Sequence, residues 1–170
     1  MVTDLSEVAT ATRTEAAWTV LSGVPDPEIP VLSLRDLGIV REVLDLGHEL
    51  EVVLTPTYSG CPATEVIAQS VQDAVEAAGL GPVRVTQRLA PAWSTDWISA
   101  DGLRKLREYG IAPPGQGAGQ QPLRFRPRSV ACPRCNSLDT ERLSAFGSTA
   151  CKALYRCLAC REPFEHFKPL

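Results

Sequence analysis

Histidine is nearly missing from this chain: His48 and His166 are the two present in 170 residues, and neither has the spacing of a ligand pair or a catalytic base. No Glu-x-x-His repeat of a di-iron carboxylate centre occurs, no P-loop and no glycine fingerprint of a dinucleotide fold. The sequence therefore carries no oxygenase, nucleotide-hydrolysing or hydride-transfer site of those kinds. Long apolar runs are also missing, and none approaches the roughly 20 residues that cross a bilayer. The N-terminal MVTDLSEVATATRTEAAW is polar and partly acidic, with no basic segment leading into an apolar one, so it does not read as a secretory signal. The expected location is the cytoplasm, with no membrane partner.

Cysteine is not scarce. Six thiols in a cytoplasmic protein argue for metal or redox use rather than a disulfide framework. Cys132-Pro-Arg-Cys135 and Cys157-Leu-Ala-Cys160 are two CxxC pairs with 21 residues between them. Each pair can turn two sulfurs toward one ion, and two pairs complete the tetrahedron of structural zinc; mononuclear iron or an iron–sulfur cluster are the alternatives. The segment around them has too few apolar residues to fold without the metal. Cys151 lies outside both pairs and reads as packing or as a second functional thiol.

Positive charge is scarce in the first 100 residues, which hold 5 Lys and Arg against 14 Asp and Glu, whereas residues 101–170 hold 12 against 6. Four thiolates on zinc would carry two negative charges, so part of the basic excess balances the site. This weakens a nucleic-acid reading, as does the acidic front half.

Periodicity divides the chain into a front domain at 1–111, a linker at 112–129 and a zinc ribbon at 130–170. The front domain opens with a helix over 5–22, with Trp18 and Leu21 as anchors. Three prolines between Pro25 and Pro30 then fix an extended loop carrying Asp26 and Glu28, which cap, solvate the turn or steer a metal. Ser33-Leu-Arg-Asp36 has the form of a capping box opening a short helix. Segments 39–46 and 49–55 alternate around Gly47-His48 as a hairpin. A helix over 63–78 and a strand over 83–89 follow, giving an α/β fold with a small mixed sheet and helices packed on one face. Trp93 and Trp97 read as core closers, with a binding platform as the alternative, and a helix capped by Ser99 ends at Gly110. The linker, rich in Gly, Pro and Gln, carries Arg124, Arg126 and Arg128. Separate cores predict that the front domain survives loss of the ribbon's metal.

The stretch Thr55-Pro-Thr-Tyr-Ser-Gly-Cys61-Pro62 enters the clearest helix of the sequence. Pro62 at the first helical position places Cys61 at the N-cap, where free N–H groups and the dipole favour thiolate. The competing reading is a small thiol filling a tight turn.

DPEIPVLSLRDLGIV, then TPTYSGCPA, then the tryptophan loop resemble the SufT-type domain of iron–sulfur assembly factors. With FGSTACKALYRCLACREPF behind it, nearly the whole chain resembles the D-subunit family of bacterial ring-1,2-phenylacetyl-CoA epoxidases. The resemblance places Asp26, Pro27, Glu28, Asp36, Gly60, Cys61 and Pro62 on motif positions and maps the reactive cysteine onto Cys61. It implies a non-catalytic accessory of the oxygenase in phenylacetate degradation, helping metal reach or stay in its di-iron centre. Other oxygenase subunits, iron–sulfur assembly proteins and a second copy of the chain are the expected partners. The alternatives are a purely structural docking component and a nucleic-acid-binding zinc ribbon; a thiol hydrolase lacks a placed base.

Overall fold

A computed structural model describes residues 12–58, 63–115 and 129–169. Its first helix, α1, runs Arg13–Leu21, opened by a capping box in which the Thr12 hydroxyl accepts from the Glu15 amide and the Glu15 carboxylate accepts from the Thr12 amide. The part of the expected helix before residue 12 lies outside the described residues. Leu21 is fully buried and Trp18 half-buried, with the Arg35 guanidinium over its ring. Arg13 ties α1 to the rest by donating to the Leu80 and Gly47 carbonyls and pairing with Asp45.

The hairpin is as the alternation predicts. Strand β1 (Val40–Asp45) pairs antiparallel with β2 (Leu50–Leu54). Helix α2 (Thr64–Ala77) returns the chain to β3 (Val83–Gln87), which pairs parallel with β2, so the central strand is the one with the most apolar residues. The α2 face of Ile67, Val71 and Val75 lies in the core with Leu50, Val52 and Leu54, at the four-residue spacing of a helix stripe.

Ser33 and Asp36 do form reciprocal bonds, with the Asp36 carboxylate accepting from the Ser33 amide and the Ser33 hydroxyl accepting from the Asp36 amide. They close a turn, however, and no helix follows. Gly38, two residues on, has φ +68, and a Cβ there would meet the Trp97 carbonyl oxygen at 2.7 Å. The chain must turn at that point, so a helix cannot propagate.

Both tryptophans of the loop are structural. Trp93 is buried and its indole N–H donates to the Leu37 carbonyl at 2.9 Å; Trp97 lies under the Arg41 guanidinium. Helix α3 (Ala100–Tyr109) begins at the Ser99 cap and ends at Gly110, which is left-handed, as expected.

Three ribbon strands, Thr140–Ser144 (β5), Lys152–Cys157 (β6) and Pro163–Phe167 (β7), join Ile111–Ala112 (β4) in a four-stranded sheet in the order β4-β7-β6-β5. Strand β4 is the end of the front segment, and it pairs parallel with β7. Phe167 and Cys151 belong to the same apolar cluster as α1, α2 and the first sheet, with the Phe167 and Trp93 rings 6.0 Å apart. The expectation of separate cores does not hold, because the ribbon contributes side chains to the front core. A smaller cluster of Val130, Cys132, Cys157 and Phe164 underlies the knuckles.

Candidate metal centres

The two CxxC turns share one backbone design. The Cys132 amide donates to the Ser137 carbonyl and the Cys157 amide to the Glu162 carbonyl. In each, the residue after the second cysteine is left-handed, Asn136 at φ 61 and Arg161 at φ 65. The Cys160 amide points back at Cys157 Sγ, 3.5 Å away, and this hydrogen bond holds that thiol below its ordinary pKa. Between the turns, Cys132 Sγ and Cys160 Sγ lie 3.8 Å apart, and Cys135 Sγ and Cys157 Sγ 3.5 Å. All four sulfurs fall within 4.8 Å of one another. Sulfurs about 2.3 Å from a tetrahedral ion stand about 3.8 Å apart, so one ion fits with little movement. These four thiols form a metal site of the kind that zinc occupies.

The second site is a small cavity under the proline loop. Asp26, Glu28, Ile29, Leu37 and Ile39 line it from one side, Pro56, Thr57, Ala63 and Ile67 from another, and Cys151 and Phe167 from the ribbon. Its volume is about 20 Å³, enough for one water or one ion and too small for an organic substrate. Asp26 Oδ1 accepts from the amides of Glu28 and Ile29, which fixes the loop and turns the carboxylate inward. Burial raises the Asp26 pKa against those two bonds. Burial first, and then the neighbouring Asp26 carboxylate, raises that of Glu28. Two acids and a thiol thus share a poorly hydrated space, with the buried Lys152 beside them paired to Glu165 at 2.9 Å.

Comparison with known proteins assigns both halves. Residues 14–86 match the family described as an iron-sulfur cluster assembly protein, and residues 117–168 match the PaaD zinc beta ribbon domain. Over 151 residues, 89% of the chain, it is 53% identical to the D component of a putative 1,2-phenylacetyl-CoA epoxidase from Escherichia coli, 90% of which is covered. The chain belongs to the PaaD family. An Fe-S protein maturation auxiliary factor of Porphyromonas gingivalis is 35% identical over 89 residues, covering 51% of this chain and 83% of that protein. The crystal structure of a DUF59 domain from Bacillus anthracis covers 55% of the chain and 91% of its own length at TM-score 0.51 and 24% identity, which shows a shared fold.

The motif positions expected of a PaaD chain separate in space. Asp26 and Glu28 reach the cavity, while the exposed Pro27 between them only shapes the loop. Asp36 is elsewhere. Its carboxylate accepts from Ser33, Ser99 and Lys105, fastening α3 to the turn. Gly60, Cys61 and Pro62 lie outside the described residues, as do Arg124, Arg126 and Arg128, but Thr57 before them and Ala63 after them in the chain border the cavity. The cap assignment is corrected: α2 starts at Thr64 and its N-cap is Ala63, two residues after Cys61 and without a side-chain bond. Proline at position 62 therefore precedes the helix instead of opening it. His166 is satisfied through Nδ1 and the Ala112 carbonyl at 3.2 Å, and burial lowers its pKa. His48 is exposed in the hairpin turn.

Sequence reasoning did not connect Cys151 or Lys152 to the proline loop. The one available signal was that Cys151 is a cysteine unused by the ribbon in a segment where every other thiol is used.

Proposed function

We propose that this PaaD-family chain is an accessory subunit of a phenylacetyl-CoA ring epoxidase that helps its di-iron centre acquire or keep metal, with Cys61 as a transient ligand. The observation that carries this reading is the cavity itself. The motif carboxylates Asp26 and Glu28 converge with Thr57 and Ala63, which precede and follow Cys61 in the chain, on a space of ion size. A thiol brought there would give the mixed sulfur and oxygen donors that iron and zinc accept. The ribbon site takes zinc as a structural ion. The Escherichia coli relative is named for the epoxidase, which supports other epoxidase subunits as partners, and the maturation-factor relative supports traffic in iron or an iron–sulfur cluster. Iron–sulfur assembly proteins would load the site.

The test is a cell carrying Cys61→Ser as its only copy. The oxygenase should be made in normal amount but purify with at least severalfold less iron, and phenylacetate consumption should fall in proportion. Full iron occupancy with normal consumption would overturn the reading. A structural docking role has an observation of its own: Leu138, Leu143, Phe146 and Leu158 are exposed on the ribbon. Equal-stoichiometry co-purification with the oxygenase, combined with full iron in the Cys61→Ser cell, would establish that role instead.

A further inference from the structure

We propose that the cleft on one face of the ribbon sheet, lined by Tyr155 and His166 and ringed by Arg107, Arg142 and Lys168, binds a nucleoside phosphate. The site is separate from the cavity under the proline loop, and its test is independent of the maturation reading.

Strand register builds the cleft. Directly opposed residues of neighbouring strands share a face. His166 stands opposite Ala112 on β4 and Ala153 on β6, and Arg142 on β5 stands opposite Tyr155 on β6. All five line one space of about 1080 Å³, whereas Phe167, the next residue along β7, turns to the other side and enters the front core. That volume is at the top of the range of about 300–1,000 Å³ in which organic ligands are held. The two alanines leave the room. Tyr155, stacked on Phe164 with ring centres 5.7 Å apart and met edge-on by His166, gives the cleft a fixed aromatic wall.

The polar groups around this wall are open to a ligand. Arg13, Arg84, Arg88, Arg104 and Lys105 of the front unit each pair with a carboxylate. Among the described residues none of the three cations at the cleft does. Arg107 donates to the Asn136 amide oxygen at 2.9 Å, Lys168 donates to the Ala145 carbonyl at 3.4 Å, and the Arg142 side chain has no partner. Glu141, the one acid among the described lining residues, is paired with Arg156. His166 directs Nδ1–H to the Ala112 carbonyl, and burial lowers its pKa and keeps the ring neutral, so Nε2 is an acceptor. Neither that nitrogen nor the Tyr155 hydroxyl has a partner among the described residues. No buried side-chain nitrogen or oxygen among them is unpartnered, so both atoms are open to the cleft.

A ligand that satisfies these groups carries negative charge, a planar ring and N–H or O–H donors. Guanidinium and ammonium groups suit phosphate oxygens, and Arg142 has its whole fork free for them. A base fits against the aromatic wall, and a base amine or sugar hydroxyl supplies the donor that His166 Nε2 accepts. Inorganic phosphate meets the first of these needs alone. Two sources present the unit, free nucleotides and the nucleotide end of coenzyme A, and the 3′-phosphate tells them apart.

ADP and adenosine 3′,5′-bisphosphate, titrated calorimetrically into the full-length protein holding one zinc per chain, test the proposal. At least one should bind once per chain, and the tighter one names the source; equal affinities would place recognition in the adenosine 5′-phosphate portion they share. Pyrophosphate should bind at least tenfold more weakly than the better nucleotide. Arg142→Gln should weaken nucleotide binding about tenfold or more, the loss of a charge-assisted hydrogen bond. Arg161→Gln, an exposed cation outside the cleft, should bind as the wild type does. One zinc per chain in both variants shows that the ribbon is folded. Failure of the wild type to bind either nucleotide, unchanged affinity in Arg142→Gln, or an equal loss in Arg161→Gln would overturn the proposal. Pyrophosphate bound as tightly as the nucleotides would reduce the cleft to an anion site, and a single-stranded RNA bound at least tenfold more tightly than either would make it a nucleic-acid surface; both results contradict it.

Discussion

Asp36 shows how a carboxylate can stand on a motif position and be structural in use. Burial opposes its charge, but the Lys105 ammonium and the Ser33 and Ser99 donors outweigh it and hold its pKa below the ordinary value of 3.8. The sign follows from linkage: a carboxyl with a lowered folded-state pKa stabilises fully above its unfolded value and loses that contribution as pH falls through the folded one. Asp36→Asn should therefore cost about 1–3 kcal/mol near neutral pH, the range for a charged hydrogen-bonded group. The gap to wild type should close below about pH 4. Urea unfolding at a series of pH values checks this, and a gap independent of pH would mean that shape, not charge, is what Asp36 supplies. From the sequence Asp36 and Glu28 are both acids on motif positions, and the capping-box spacing gives Asp36 its bond to Ser33 but not those to Ser99 and Lys105. Only the path of the chain separates the one that fastens α3 from the one that faces a cavity.

At the scale of elements, the sequence was most readable where one rule acts alone. The β1–β2 hairpin, the α2 stripe, and α3 from Ser99 to Gly110 follow from alternation, helix spacing and caps. Local rules failed where the chain's wider path overrode them. The Ser33–Asp36 box closed on itself because Gly38 packs against Trp97, and Pro62 precedes α2 although proline commonly opens a helix. Strand β4 was unreadable in principle: two residues have no period, and their pairing to β7 is set more than 50 positions away. That pairing brings Phe167 into the front core. Phe167 is 1% exposed, so Phe167→Ala should destabilise by about 3–5 kcal/mol. All three tryptophans lie in the front unit, so their fluorescence reports whether the loss is felt there. Independent units would leave the tryptophan-detected transition unmoved, whereas the shared core predicts that it shifts to lower urea.

On the scale of the whole molecule, the four-thiol site was legible because CxxC pairs bring their ligands together within a few residues, and the chain needs only one closure to finish it. The cavity under the proline loop was half legible. Asp26 and Glu28 stood in a recognisable motif, but Cys151 is separated from them by more than 120 residues, and only docking of the ribbon makes them neighbours. The same docking joins an acidic front to a basic back and gives the zinc a role beyond the ribbon, since a metal that folds β6 and β7 also places Cys151 and Phe167. The central claim is that this assembled chain passes metal to the oxygenase. It is tested most directly by mixing the iron(II)-loaded protein, without oxygen, with metal-free oxygenase and an excess of a chelator that captures free iron. The account predicts that iron and epoxidase activity appear in the oxygenase despite the chelator, and that Cys61→Ser abolishes the transfer. Iron captured by the chelator as completely as when free iron is added, with the oxygenase left empty, would contradict it.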